Sequence, residues 1–277
     1  MLRILAKLES FDVRWLYLIL LASIVITSFI TIPIRIKLSP EAQSFYNTIE
    51  NLDPNKPVLL HSDWDHGTIG ELRAQFRNVV RHLFRNNIKF VIISAIQTGR
   101  KFYEPAVDEL AKEYGKQYGQ DWIAVGFKLP QPIGIAIESL SRDFIKQVRL
   151  DDKNINPHDY PWLKNVRVAE DWGAVISIAY TEYREYLTYF VEAGRTPYLV
   201  GCTAISSTYL YPFLSAGTIK GMLVGSRGGG EYEQQMGVYE HGTKFLIGQA
   251  AGHLLILLGV ILGNLGQFAR TRLEKTK

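Results

Sequence analysis

Apolar positions along this chain follow three different rhythms. At the two ends they are nearly continuous: no charged residue interrupts Trp15 to Ile34, and Phe245 to Ala269 carries only the titratable His253. About twenty apolar residues suffice for a helix to cross the hydrocarbon core of a bilayer. Between these stretches the pattern alternates. Short, mostly apolar runs, among them Pro57–Ser62, Phe90–Ala95, Trp122–Lys128, Ala174–Ala179, Tyr198–Cys202 and Ile219–Gly225, predict buried strands. Segments with helical spacing separate them. The clearest is Ile69–Arg85, with Ile69, Leu72, Phe76, Val79, Val80, Leu83 and Phe84 on one side. Further helices are expected over Tyr103–Tyr118, Ile133–Val148, Glu182–Ala193 and Ile205–Ala216, and Ser39-Pro40-Glu41 reads as an N-cap with proline opening a helix to about Asn51.

Doubly apolar strands alternating with amphipathic helices predict an α/β domain with a mostly parallel sheet covered on both faces, Rossmann-like or flavodoxin-like in layout. The expected organisation is an N-terminal flank (1–14), a first transmembrane helix (15–34), an α/β domain (35–244) with a polar, proline-bearing loop or hinge at 150–162, a second transmembrane helix (245–269) and a tail (270–277). Gly228 to Lys244 reads as a glycine-rich bend leading to the bilayer.

Charge sets an orientation. Arg3, Lys7, Arg14, Arg270, Arg272, Lys275 and Lys277 flank the outer ends of the apolar stretches, against Arg35, Lys37, Arg227 and Lys244 on the domain side. The excess predicts a two-pass protein of the plasma membrane with cytoplasmic termini and an extracytoplasmic domain. The first stretch has a longer apolar core than a signal peptide and no small-residue cleavage site, so it is expected to remain as a signal anchor. The net charge of +4 therefore does not point to nucleic acid, and the single cysteine, Cys202, permits no internal disulfide.

The second apolar stretch has a packing face. On a helical wheel Gly248, Gly252, Gly259, Gly263 and Gly266 fall within roughly 60° of one another, beside a polar stripe of Gln249, His253, Asn264 and Gln267. Glycines let helix backbones approach, and amides bond across the contact. The expected partners are the bilayer and other membrane subunits or a second copy, with no nucleic acid.

The strongest chemical signal follows the first predicted strand: His61, Asp63, Asp65 and His66 lie within six residues, where open α/β sheets bind ligands. Such side chains suit Mg, Mn or Zn if they converge. The alternative reading is a turn in which an aspartate caps the Ile69 helix. Asp63-x-Asp65 with Gly67-Thr68 resembles the nucleophile loop of haloacid dehalogenase-like phosphatases, and Ser94 their second motif. That resemblance implies a metal-dependent phosphoesterase with Asp63 as nucleophile or ligand. His66 is one residue too many in the loop, however, and no later Gly-Asp-x-x-x-Asp follows. His61-x-Asp63-x-Asp65-His66 also resembles the metal motif of metallo-β-lactamase-like hydrolases, with Asp where that family has its second His.

Two weaker features complete the set. Arg227, Gly228, Gly229 and Gly230 could cradle an anion. Arg73, Arg77, Arg81 and Arg85 recur every fourth residue, as a solvated helix face or a docking ridge for an acidic partner. Taken whole, the Asp63-x-Asp65-x-Gly67-Thr68 turn, Lys112-Glu113-Tyr114-Gly115-Lys116-Gln117-Tyr118-Gly119 and Tyr211–Gly217 running on to Glu233 resemble a prokaryotic family of membrane-anchored α/β proteins. That family has one transmembrane helix at each end and no assigned activity, so the resemblance implies the architecture only. The expected function is a non-enzymatic, membrane-tethered accessory, scaffold or sensor subunit. The alternatives are the metal-dependent hydrolase and a small-ligand-binding domain. No cofactor is expected outside the hydrolase reading, which calls for a divalent metal.

Overall fold

The computed structural model describes residues 12–29, 37–127, 132–181 and 183–275. They form two compact units, one from the two chain ends (up to Ile34, and from Thr243) and one from Arg35–Gly242.

The larger unit is built on six strands: β1 (Val58–Asp63), β2 (Phe90–Ile93), β3 (Trp122–Gly126), β4 (Ala174–Ala179), β5 (Tyr198–Cys202) and β6 (Gly221–Val224). Their order is β3-β2-β1-β4-β5-β6, and every pairing is parallel. The sheet is thus wholly parallel where the sequence suggested mostly so. The strands are buried on both faces, which is why their sequences are largely apolar on both sides rather than alternating.

Helices α2 (Pro40–Glu50), α3 (Ile69–Arg85), α4 (Arg100–Glu113), α5 (Ile133–Arg142), α6 (Phe144–Gln147), α8 (Ala204–Ser215) and α9 (Gly225–Met236) flank the sheet. The short α7 (Tyr183–Tyr186) continues as a π-helical turn over Leu187–Glu192. One core packs α3 residues such as Phe76, Val80 and Leu83 against Leu60, Ile92 and Ile176. The other packs Ile137, Leu140, Tyr186 and Phe190 against Leu59, Val91 and Val175.

Ser39 caps α2 as expected, its side chain accepting from the Ala42 N–H. Other segments pack on both outer strands. Gly221 of β6 lies so close to the Phe45 backbone of α2 that a Cβ there would stand 2.3 Å from Phe45 Cα. On β3, Gly119 N–H donates to Trp122 O and Asp152 N–H to Ala124 O, both at 2.7 Å. The 150–162 stretch, expected as a loop or hinge, is bonded to the sheet along part of its length. The fully buried Asp151 accepts from the Tyr118 and Tyr160 hydroxyls and from the Lys153 and Ile155 N–H groups, which fixes the loop to the sheet.

The glycine-rich segment also differs from expectation. Gly225–Met236 is not a bend but the helix α9, ended by Gly237 in the left-handed region. Glycine is a poor helix former in isolation, by about 1 kcal/mol per residue; close packing overrides that preference here. A Cβ on Gly229 would lie 2.8 Å from Ala74 Cβ of α3.

The smaller unit consists of α1 (Val13–Phe29) and α10 (His241–Lys275). Of the described residues, α10 alone forms a helix long and apolar enough to cross a bilayer, and α1 is a shorter apolar helix. Residues 30–34, the end of the expected first span, lie outside the described residues. A Cβ on Gly248 would lie 3.3 Å from Thr27 Oγ1, and one on Gly252 would lie 3.6 Å from Leu20 Cδ1, so these two glycines face α1. Gly259 and Gly263 have nothing within 4 Å of such a Cβ, and Gly266 is buried.

Candidate functional site

The order of strands reverses between β1 and β4, and in open parallel sheets ligands bind beyond the strands' carboxyl ends at such a point. Alternation along β1 sends Leu59, His61 and Asp63 to one face, and the strand ends where the turn to α3 begins. Asp63 is fully buried. Its Oδ1 accepts from Ser94 Oγ at 2.7 Å and from the Ala95 N–H at 2.8 Å, at the end of β2. Its Oδ2 stands 2.9 Å from His61 Nε2, at ion-pair distance but without hydrogen-bond alignment. The other His61 nitrogen, Nδ1, is 3.2 Å from Ser177 Oγ of β4, which also accepts from the Tyr198 hydroxyl of β5 at 2.9 Å. The His61 ring packs on Tyr186. Four neighbouring strands are thus joined by one buried polar chain. Burial works to raise the Asp63 carboxyl, but the facing His61 and the bonds from Ser94 and Ala95 outweigh it, and the net direction is downward.

Asp65 and His66 do not join this group. Asp65 Oδ1 accepts from the N–H groups of Gly67 and Thr68 at 2.9 and 3.3 Å, closing the turn that opens α3. His66 is exposed, with its ring edge-on to Phe102. The candidate ligands therefore divide, and among the described residues no group of three or more His, Cys, Asp or Glu side chains is placed to hold a metal. Asp65 closes the turn before α3, but neither aspartate caps the helix: Thr68 stands at the N-cap position, without a side-chain cap bond.

A third carboxylate completes the edge. Glu71, in the first turn of α3, accepts from the Ala204 N–H at 2.8 Å, at the start of α8. Gly225 sits beside it with φ +56°, and a Cβ there would stand 2.8 Å from Glu71 Oε2. Asp63, Asp65 and Glu71 thus each accept from backbone N–H groups beyond the strand ends, in the turns after β2 and β1 and at the start of α8. The neighbouring Cys202 is fully buried, and burial, aided by Glu71, pushes its thiol up to about 12.

The proposed anion cradle lies elsewhere and is differently built. Gly228, Gly229 and Gly230 are buried inside α9, and Arg227 Nε is 2.6 Å from Glu231 Oε1. The other oxygen of Glu231 accepts from the Ser39 N–H and hydroxyl at 3.1 and 2.6 Å. Glu233 accepts from the N–H groups of Glu240 and Gly242 at 3.0 and 2.7 Å. Two carboxylates of one helix thus hold the residues where the domain joins the apolar chain ends.

The arginine series converges on the same region. Arg77 and Arg81 are buried rather than solvated. Arg77 binds Glu109 through two nitrogens at 2.7 and 3.1 Å and Glu240 at 3.3 Å. Arg81 binds Glu240 at 2.6 Å and Asn78 at 2.8 Å. Arg85 pairs with Glu50 and Tyr46, and Arg73 is half-buried. Burial is what defeats the ridge expectation at Arg77 and Arg81: their carboxylate partners come from distant segments.

Glu71, Ser177, Tyr198, Glu231, Glu233 and Glu240 escaped the sequence reading. The only local signal was for Glu71, an acid in a helix's first turn. Comparison with protein families, with curated proteins and with solved structures returns no match.

Proposed function

We propose that this chain is a non-enzymatic, two-pass membrane protein whose extracytoplasmic domain serves as an accessory or scaffold subunit of a larger membrane assembly, with both termini in the cytoplasm. One observation carries the reading. On the membrane-length helix α10, Gly259 and Gly263 face open space, and Gln249, His253, Asn264 and Gln267 are exposed in the same helix. Polar side chains facing lipid are costly, and open glycines admit a second backbone. Both are accommodated by a further helix from another copy or another subunit. The domain's finer description as Rossmann-like is supported by its 3-2-1-4-5-6 strand order. Its non-enzymatic character is supported by the three carboxylates that occupy the backbone donors of the carboxyl edge.

Replacing Gly259 or Gly263 by Leu in the full chain tests this reading. Each change should reduce the assembly recovered by cross-linking in native membranes, while Leu258→Ile leaves it intact. Equal recovery from all three variants would remove the accessory-subunit reading.

The metal-dependent hydrolase is favoured by a single observation, the 2.7 Å contact that places Ser94 beside Asp63 at adjacent strand ends. Against it, Asp63 is fully buried and Asp65 belongs to its own turn. A rise in melting temperature with Mg, Mn or Zn, abolished by Asp63→Asn, would restore this second reading; no shift is expected.

A further inference from the structure

Helix α10 (His241–Lys275) carries two stripes at the spacing with which helices pack along one another. Alternating steps of four and three residues keep a stripe on one side of a helix that supercoils gently around a neighbour, in membrane bundles as in coiled coils. The first stripe starts at Gly248, Gly252, Leu255 and Gly259 and continues to Gly266 and Ala269, all of them buried or half-buried. Its first two glycines lie against Thr27 and Leu20 of α1. Of its members only Leu262 is exposed (43%).

The second stripe is displaced by one residue: Gln249, His253, Ile256, Val260, Gly263 and Gln267. It keeps the same spacing over about five turns. Every one of its members is exposed, Ile256 and Val260 at 57% each. A surface turned to lipid needs neither amides nor an imidazole, and each costs free energy there. Leu258 and Leu265, on the opposite side, suit lipid without help. The helix is patterned to pack on two sides, and α1 lies on one.

The chemistry of the second stripe narrows the choice of neighbour. Copies of one membrane protein share an orientation in the bilayer, so a twofold axis along the membrane normal sets their α10 helices parallel. Across such an axis each residue meets itself. Only side chains that complement themselves fit there. A carboxamide offers donors and an acceptor, and a neutral imidazole one of each, so Gln249, His253 and Gln267 can each bond to its own counterpart. Ile256 and Val260 pack on theirs, and Gly263 lets the backbones close in. No Asp, Glu, Lys or Arg, which would face its own charge, occurs in the stripe. The amides also fix the register, since a slip of one heptad would set Gln249 against Ile256 and Gln267 against Val260.

We propose that α10 makes a parallel two-helix contact with α10 of a second copy of this chain along the stripe from Gln249 to Gln267. The inference rests on the accessory-subunit reading given above and names the neighbour that α10 takes.

The test uses two differently tagged full-length chains, co-expressed with the same added cysteine in each and oxidised in native membranes with copper phenanthroline. The native Cys202 is fully buried in all of them. Ile256→Cys and Val260→Cys should each give a disulfide product that contains both tags. Leu258→Cys and Leu265→Cys should give none, because Cα atoms more than about 7 Å apart cannot be bridged. Equal cross-linking at all four positions, the mark of random collision, would overturn the proposal. So would product at 258 and 265 alone, which puts the second copy on another face, or no product at 256 and 260. In that last case recovery of the assembly separates the two readings. If Gly263→Leu still reduces it, α10 binds a different subunit and the accessory-subunit reading stands. If Gly259→Leu and Gly263→Leu are both silent, both readings fall.

Discussion

The carboxyl edge of the sheet and the junction with the apolar chain ends are built from the same chemical device. In each, carboxylates accept hydrogen bonds from backbone N–H groups: Asp63, Asp65 and Glu71 at the edge, Glu231 and Glu233 at the junction. What differs is which backbone they hold. At the edge the donors belong to the turns after β1 and β2 and to the start of α8, so the device ties off the loops beyond the strand ends. At the junction the donors belong to Ser39, Glu240 and Gly242, the residues through which the domain is tethered, so the device makes an attachment. The side-chain partners also differ: Arg77 and Arg81 pair with Glu240 at the junction, while at the edge the His61 ring stands beside Asp63. A cluster of acids at a strand end is therefore no sign of catalysis until its donors have been traced.

The comparison can be broken most severely at Asp63. Asp63→Ala strands the Ser94 hydroxyl, the Ala95 N–H and His61 in a buried setting and should cost about 3–5 kcal/mol in urea denaturation of the detergent-solubilised chain. A loss no larger than that of a surface substitution would show that the edge is not closed by this residue.

Acid should separate the two regions. His82 lies at the junction side, between Glu50 of α2 and Tyr232 of α9. Burial first, then the nearby Arg85, lowers its pKa from 6.5 to about 4, against the opposing pull of Glu50. The unfolded chain then binds more protons than the folded one between these values. Stability contributed by neutral His82 is complete above about 6.5 and is lost as pH falls toward 4, on the order of 3 kcal/mol in all. The Asp63 carboxyl is shifted downward, so its contribution remains until pH drops below about 3.9 and through its folded value. Hydrogen exchange at pH 5 should thus loosen the α2–α3–α9 contacts before the Ala95 amide, and His82→Gln should flatten the loss of stability over that interval.

A smaller and more local effect is expected at Glu233. Glu233→Ala removes one acceptor from two backbone donors, a loss of about 1–3 kcal/mol. The Glu240 and Gly242 amides should lose exchange protection while Gly67 and Thr68 keep theirs. The mildest change is Asp65→Ala, which opens only the turn before α3 and should cost about 0.5–1.5 kcal/mol, the net worth of an ordinary hydrogen bond. Here the pattern of protection should invert, with Gly67 and Thr68 exposed and the junction unchanged.

Much of the architecture was legible because it is written locally. The limits of β4 and β5 and of the Ile69–Arg85 helix follow from apolar runs and helical spacing, and the strand end at Asp63 was visible as a change of pattern. What escaped reading depends on partners distant in sequence. Glycine propensity argues against a helix over Gly225–Met236, and only the proximity of Ala74 and of Gly242 shows why small residues are required there. Spacing put Arg77 and Arg81 on one ridge correctly, but Glu109 and Glu240, which bury them, carry no local signal. The same holds at the edge. Asp63 and Asp65 look equivalent as a motif, and only the Ser94 and Ala95 contacts separate the buried one from the one that closes its own turn.

The covering of the outer strands has a consequence for association. On β3, backbone groups of Trp122 and Ala124 that would face a neighbouring strand are engaged by Tyr118, Gly119 and Asp152, and β6 lies beneath α2. On the β3 side the backbone groups that an extended peptide would need are thus already bonded, which disfavours β-augmentation and edge-to-edge aggregation there.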